Sequence, residues 1–340
     1  MSNYESFLIV FLFILILNFL FNKFNLIKDK KNVSFHKKFT GNKIEPPFSG
    51  GIFLIAIIYI FFPADFIFKL FFLLIFLIGY LSDINLLKSP NLRFYLQIIV
   101  VVILIVFSDI FIQSIRIDFL DNFLNNLIFK LFFTTFCILI LINVKNFLDG
   151  VNTLVIGYYL LILFFLSTIQ NEVNIYIDLN FLYLFIFTLL ILFILNSFNL
   201  LLLGDNGSYL ISIFVGIYLI NLANKNVLVS PYFIMNLLWY PAYETFFSII
   251  RKIISKKSAL SPDNLHLHQL LYITIKKKIT YKNYANSLTG VFINIYNLVI
   301  FYLASCNYSN TKYQLALAFL SILIYNILYI LLKTNLKNLK

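Results

Sequence analysis

The chain has few charged side chains and few cysteines, and both shortages limit what it can be. Only 12% of its 340 residues are Asp, Glu, Lys or Arg, against 61% hydrophobic residues. The mean hydropathy of +0.92 excludes a soluble globular protein, because apolar stretches of about 17–25 residues recur along the chain. The two cysteines, Cys137 and Cys306, are too few for a disulfide framework or a spaced zinc set. The composition therefore predicts a polytopic membrane protein.

The apolar runs predict an all-α fold with about eleven transmembrane helices. They lie at roughly 5–21, 50–62, 66–81, 94–107, 127–144, 154–168, 180–197, 209–222, 231–248, 287–305 and 313–332. No small-residue cleavage site follows the first run before Lys23, so we expect it to be retained as a helix. Because no repeat or soluble domain is recognised, residues 1–340 are predicted to form a single membrane domain.

The positions of Lys and Arg predict the orientation of these helices. An N-terminus outside the membrane places six segments in the cytoplasm, namely 22–49, 82–93, 145–153, 198–208, 249–286 and the C-terminal 333–340. Together they hold 21 of the 26 Lys and Arg residues, which is the bias described by the positive-inside rule. We expect the Lys-rich loops to meet anionic lipid headgroups rather than nucleic acid.

Three aspartates stand just past long apolar runs and face the predicted cytoplasmic side. They are Asp83 in GYLSDI, Asp149 in NVKNFLDGVN and Asp205 in LLLGDNGS. An acid beside lipid is costly and usually functional, and a cluster of acids suits a divalent cation and a phosphate. For Asp83, a simple ion pair with Lys88 or Arg93 in the headgroup zone explains the sequence equally well.

A polar stripe accompanies the second of these aspartates. Asn143, Asn146, Asp149 and Asn152 recur every third residue and share one slowly drifting face while the segment stays helical. The stripe could form hydrogen bonds between helices. Four oxygen donors on one face also suit a hard cation, and we favour this second interpretation.

Two glycine-containing segments could approach a phosphate. In KIEPPFSGG, Lys43 is the residue that could hold one, although a helix entry turn is the simpler explanation of this segment. In LLLGDNGSYL, Asp205 lies between Gly204 and Gly207, with Ser208 at a predicted helix start. There the backbone could approach a pyrophosphate and helix amides could point at it, and a plain N-cap turn is the alternative.

The segment SPDNLHLHQLL contains Asp263, His266 and His268. Two histidines two residues apart point to opposite sides of a strand and align poorly on a helix, so a metal clip is not expected. Contacts from a loop to phosphate or sugar are favoured, and solvated histidines are the alternative. Upstream, Glu244 in PAYETFFSIIRK could pair with Arg251, two turns further along the predicted helix.

Taken together and in this order, these segments resemble the polyprenyl-phosphate N-acetylhexosamine-1-phosphate transferase family, from Lys43 to about Leu271. Asp83 matches the second acid of the paired-aspartate loop of that family, and Asn146 and Asp149 match its Asn-x-x-Asp-Gly motif. Asp205 matches the magnesium-binding aspartate of Gly-Asp-x-Gly-Ser, and Asp263, His266 and His268 match the cytoplasmic histidine loop. Two positions depart from the pattern: Ser82 replaces the first acid, and Leu202 replaces an aromatic residue found in some relatives.

The resemblance implies transfer of an N-acetylhexosamine-1-phosphate from a UDP-sugar to undecaprenyl or another polyprenyl phosphate. The products would be a lipid-pyrophosphate-sugar and UMP, formed at the cytoplasmic face of a bacterial inner membrane at the start of a cell-envelope polysaccharide. A homodimer is compatible with this. The main alternative is a polytopic transporter or lipid flippase without transferase activity. Transporters place ionisable residues near the bilayer midplane, whereas these acids stand at inner helix ends.

Roles for the site residues follow from the same resemblance. Mg²⁺, or Mn²⁺ in its place, would be held by Asp205 and Asn146, while Asp83 and Asp149 would position or activate the nucleophile. The residues predicted to bind substrate are Lys43, Asn143, Asn152, Gly204, Asp263, His266 and His268.

Overall fold

The fold is all-α in the residues that the structure, a computed structural model, describes: 3–28, 46–143, 151–170, 172–173, 177–256, 265–279 and 284–337. Fourteen helices are found there. They are α1 (Asn3–Lys23), α2 (Gly50–Phe61), α3 (Phe66–Asp83), α4 (Pro90–Ser108), α5 (Asp118–Leu124), α6 (Leu127–Asn143), α7 (Leu154–Thr168), α8 (Leu179–Ser197), α9 (Gly204–Lys225), α10 (Pro231–Leu237), α11 (Trp239–Ile254), α12 (Leu267–Lys278), α13 (Ala285–Cys306) and α14 (Thr311–Lys337).

Seven helices of the described segments are long and apolar enough to cross a membrane: α1, α3, α4, α8, α9, α13 and α14. An eighth span results if α5 and α6, which meet at a 109° bend, are counted as one. The polytopic all-α fold is thereby confirmed. The count of eleven is not reached by this criterion, because α2 and α7 are shorter apolar helices of 12 and 15 residues and the predicted helix 231–248 is divided into α10 and α11.

One predicted helix, 231–248, is two helices in the structure. It breaks at Leu238, between α10 and α11. Pro241 has no N–H to donate and its ring clashes with the carbonyl four residues back, which belongs to Leu237. The Tyr158 hydroxyl donates to that carbonyl at 2.7 Å, so the acceptor freed by the proline keeps a partner.

Three other boundaries differ from the sequence-based expectation. The helix predicted to begin near residue 209 begins at Gly204, so the predicted loop 198–208 ends earlier. The predicted loop 249–286 contains the end of α11 and all of α12. The short helix α5 was not predicted. The first difference matters most for function, because it places Asp205 in the first turn of a helix.

Helix α9 lies at the centre of the bundle and positions that aspartate. It packs against α2, α3 and α6, and 83% of its apolar segment is buried. Gly79 of α3 lies against the α9 backbone: a Cβ at Gly79 would stand 2.6 Å from the N and Cα atoms of Asn206. Glycine at this crossing lets α3 approach closely enough for its last residue, Asp83, to reach the first turn of α9.

Candidate active site

The carboxylate of Asp83 caps the N-terminus of α9. Its Oδ1 accepts from the backbone N–H of Asp205 and its Oδ2 from that of Asn206, both at 2.9 Å. Gly204 has φ +74°, and a Cβ there would stand 2.6 Å from Asp83 Oδ2, so a side chain at this position would be strained and crowded. The buried acid thus satisfies two helix-end donors and complements the helix dipole.

This cap changes the interpretation of the glycine-containing turn. The sequence suggested that amides at the start of this helix point at a pyrophosphate. In the structure the amides of Asp205 and Asn206 donate to the Asp83 carboxylate, and a contact of this turn with a pyrophosphate stays a prediction. Gly204 remains a predicted substrate-binding residue, and the structure shows what its missing side chain does: it makes room for the carboxylate.

The two glycine-containing segments form one unit. Asn206 Oδ1 accepts from the N–H of Gly51 at 3.0 Å, and its Nδ2 donates to the carbonyl of Phe48 at 3.1 Å. The backbones also pair, through Leu202 N–H to the Pro47 carbonyl at 2.9 Å and Gly50 N–H to the Leu202 carbonyl at 3.1 Å. The start of α2 is therefore tied to the turn that carries Asp205.

Asp205 contacts a hydroxyl and a guanidinium. Its Oδ2 accepts from Ser82 Oγ at 2.7 Å and forms an ion pair with Arg93 Nη1 at 3.1 Å. Arg93 Nη1 also donates to Ser82 Oγ at 2.5 Å. The side chains of Arg93 and Asp205 are 21% and 16% exposed, so this cluster can be reached from outside the bundle. Arg93, from the first turn of α4, thus pairs with Asp205 and not with Asp83 in the described contacts.

The two described asparagines of the polar stripe hydrogen bond within the bundle. Asn143 Nδ2 donates to Gln97 Oε1 at 2.8 Å, which joins α6 to α4. Asn152 Nδ2 donates to the carbonyl of Asn196 at 3.2 Å and to Asn199 Oδ1. These contacts correspond to the alternative of hydrogen bonding between helices. Substrate binding by Asn143 and Asn152 stays a prediction.

The two histidines lie at the start of α12 and their rings stack, with centroids 5.4 Å apart and planes 18° from parallel. The expectation that they point to opposite sides is therefore wrong. His266 has an extended backbone before the helix begins, with φ −72° and ψ 150°, so neither strand nor helix periodicity relates it to His268. Both side chains are buried, which excludes solvated loop histidines.

Glu244 pairs with His266 and not with Arg251. Its Oε1 lies 2.8 Å from His266 Nδ1, while Arg251 donates to the Leu265 carbonyl, Tyr329 Oη and Ser248 Oγ. Helix geometry explains the failed expectation, because residues seven apart on a helix are two turns, or about 10 Å, apart along its axis.

The remaining predicted residues, Lys43, Asn146, Asp149 and Asp263, lie outside the described residues. Their assignments stay predictions.

The segment that contains Asp83 and Asp205 is similar to a known protein family. Residues 66–223 match the model described as glycosyl transferase family 4. This segment of the chain is similar to glycosyl transferase family 4. The match covers a little under half of the chain, including Asp83, Asn146, Asp149 and Asp205, and ends before the histidines. No curated protein matches the chain. A membrane sugar-phosphate transferase is the kind of protein that this match supports.

The donor atoms of the family 4 segment are suited to a hard cation. The Asp205 carboxylate supplies oxygens, the ligand type that Mg²⁺ prefers. Within the described residues, no group of three His, Cys, Asp or Glu side chains is placed to hold a metal. A complete set would need Asn146 or Asp149 in addition.

Three residues of the site were not assigned from the sequence. Ser82 was noted only as a departure, and Arg93 only as a headgroup contact, although a cation ten residues after Asp83 in the same short loop was a usable signal. Asn206 gave no signal of its own. Its role depends on Gly51 and Phe48, which are more than 150 residues away in the chain.

Proposed function

We propose that the chain transfers an N-acetylhexosamine-1-phosphate from a UDP-sugar to polyprenyl phosphate at the cytoplasmic face of a bacterial inner membrane. The observation that carries the proposal is the cluster of Asp205, Ser82 and Arg93 at the N-terminus of α9, inside the family 4 segment. The cluster is partly exposed and lies where α3 ends and where α4 and α9 begin.

The reaction forms one bond and breaks one. A lipid phosphate oxygen attacks the β-phosphorus of the UDP-sugar, the bond from that phosphorus to the bridging oxygen breaks, and UMP leaves with the electron pair. Phosphoryl transfer depends chiefly on positioning and charge neutralisation. Mg²⁺ bound by Asp205 and Asn146 would supply that neutralisation at the pyrophosphate.

The described residues have separate tasks in this proposal. Asp83 holds the first turn of α9, and therefore Asp205, in place. Arg93 carries a planar guanidinium suited to bidentate contact with phosphate, and it exchanges its contact with Asp205 for one with the substrate. Asp149 positions the lipid phosphate, while Lys43, Asp263 and the histidine segment contact the sugar nucleotide.

The test is an assay on the purified full chain in lipid nanodiscs. Undecaprenyl phosphate, Mg²⁺ and a panel of UDP-N-acetylhexosamines are supplied, and UMP and radiolabelled lipid are measured. We expect equal amounts of both products, dependent on the acceptor lipid. No product with any UDP-sugar would reject the transferase. Movement of labelled lipid between leaflets without UMP would identify the flippase instead.

Ser82→Ala is expected to keep most of the activity at neutral pH, with kcat/KM falling by less than about threefold, under ~1 kcal/mol. The second pKa of a phosphate monoester is about 6, so about 90% of the acceptor is already the dianion at pH 7. A base at position 82 would therefore add little, and the ion pair between Arg93 and Asp205 does not require the hydroxyl.

The control for this prediction is Ser82→Asp, which restores the acid of the family pattern. UMP release is measured for the wild type and both variants between about pH 6 and 9. An inert wild type that Ser82→Asp rescues would show that the first acid is an obligatory base, contrary to this prediction.

A further inference from the structure

Glu244 is a buried carboxylate on α11 with 0% exposure. A buried charge is costly unless it is paired and hydrogen bonded. Its Oε1 lies 2.8 Å from His266 Nδ1 and accepts from the Leu267 N–H at 3.3 Å, while its Oε2 accepts from the Tyr325 hydroxyl at 2.6 Å. One carboxylate thus joins α11 to the start of α12 and to α14.

This contact determines the tautomer of His266. An ionised carboxylate only accepts hydrogen bonds, so the proton between the two groups lies on Nδ1 of the imidazole. In this tautomer Nε2 carries a lone pair and accepts a hydrogen bond. Carboxylates that orient a functional imidazole through its Nδ1 occur in both metal sites and acid–base sites.

Other contacts restrict the same imidazole. The His268 ring stacks on it, and the His266 backbone N–H donates to Gln269 Oε1 at 3.1 Å. Just before it, the Leu265 carbonyl accepts from Arg251. The orientation of the His266 ring is therefore restricted by the contact with Glu244, by the stacked His268 ring and by the backbone contact with Gln269.

We propose that Glu244 is a positioning residue for His266: it holds the imidazole so that Nε2 accepts a hydrogen bond from a hydroxyl group of the sugar nucleotide, and it does not touch the substrate itself. The inference rests on the proposed transferase function, in which His266 contacts the sugar nucleotide. If the pair only joined helices, its loss would affect stability and leave the turnover of folded protein unchanged.

Two single variants and their combination test this. In Glu244→Gln the side-chain NH₂ can donate to Nδ1 and move the imidazole proton to Nε2. In His266→Asn the amide nitrogen replaces Nδ1 and Nε2 is absent. We expect each to lower kcat/KM for UMP release by about tenfold or more, mainly through kcat. Because both act through one nitrogen, the double variant should lose no more than the larger single loss.

Tyr158→Phe provides a matched control for lost stability. Its hydroxyl makes a buried hydrogen bond to the Leu237 carbonyl at 2.7 Å, so the variant loses one buried contact without touching His266. We expect a lower melting temperature and a kcat/KM within about twofold of wild type. The proposal is wrong if Glu244→Gln loses activity only in proportion to folded protein, or if its loss and that of His266→Asn simply add.

A readout independent of turnover separates this inference from the proposed function. The chain has three histidines, so ¹⁵N-histidine labelling gives few imidazole signals, and His266→Asn identifies the one of interest. Solid-state NMR of the protein in lipid should show His266 protonated at Nδ1 in the wild type and at Nε2 in Glu244→Gln. An unchanged tautomer would overturn the role of Glu244, whereas a wild type without UMP release would overturn the transferase.

Discussion

Asp205→Asn is expected to lower kcat/KM for UMP release by about three orders of magnitude, or ~4 kcal/mol of transition-state stabilisation, while the protein stays folded. The Asp205 carboxylate is partly exposed, accepts a hydrogen bond from the Ser82 hydroxyl and forms an ion pair with Arg93. An amide at this position keeps the shape but loses the charge, and a neutral oxygen is a weaker ligand for a hard cation. The fold should tolerate it, because the backbone N–H of Asp205 remains bonded to Asp83.

The measurement is magnesium-dependent UMP release per amount of folded protein, with melting temperature as a second readout. Asp178→Asn is the matched control: Asp178 is an exposed helix cap whose Oδ1 accepts from the Phe181 N–H at 2.7 Å, and asparagine is an equally good cap. The control should retain wild-type kinetics. Magnesium-dependent turnover near wild type in Asp205→Asn would remove this residue from the metal site.

Most helices could be located from the sequence because the bilayer imposes a simple rule. A segment in lipid must satisfy its own backbone hydrogen bonds and be apolar for its full length, so an apolar run marks a helix. The run at 154–168 gave the bounds of α7. The short helices α5 and α12 could not be located in this way. Helix α12 ends in three lysines and is stabilised by its contacts with α13 and α14.

The site was only partly predictable, for a related reason. The topology predicted from the sequence places Asp83 and Asp205 on one face of the membrane, because both follow apolar runs. The sequence could not show that both carboxylate oxygens of Asp83 accept from backbone N–H groups of α9, because these contacts depend on how closely α3 and α9 approach each other. Glu244 shows the same limit. Its nearest cation along the helix was Arg251, yet its partners come from α12 and α14.

Gly79→Ala is expected to disrupt the site, although Gly79 itself is not a site residue. The added Cβ would lie 2.6 Å from the N and Cα atoms of Asn206 and 2.7 Å from the carbonyl carbon of Asp205. These are backbone atoms of the buried first turn of α9, so α3 must move, at a typical cost of about 1–3 kcal/mol for overpacking. Asp83 lies one turn further along α3, and its movement would also weaken the cap.

We therefore expect Gly79→Ala to lower the melting temperature and to reduce UMP release by the remaining folded protein at least about tenfold. Gly216→Ala is the matched control, because it adds the same methyl group to α9 against Leu141 Cδ1 at 3.2 Å, the end of a side chain that can turn away. That variant should keep most of its activity. If Gly79→Ala melted and turned over like Gly216→Ala, the close approach of α3 to α9 would not be what places Asp205. If Gly79→Ala lost stability but kept its turnover per folded molecule, the packing of α3 against α9 would not affect catalysis. That result would contradict the positioning role of Asp83.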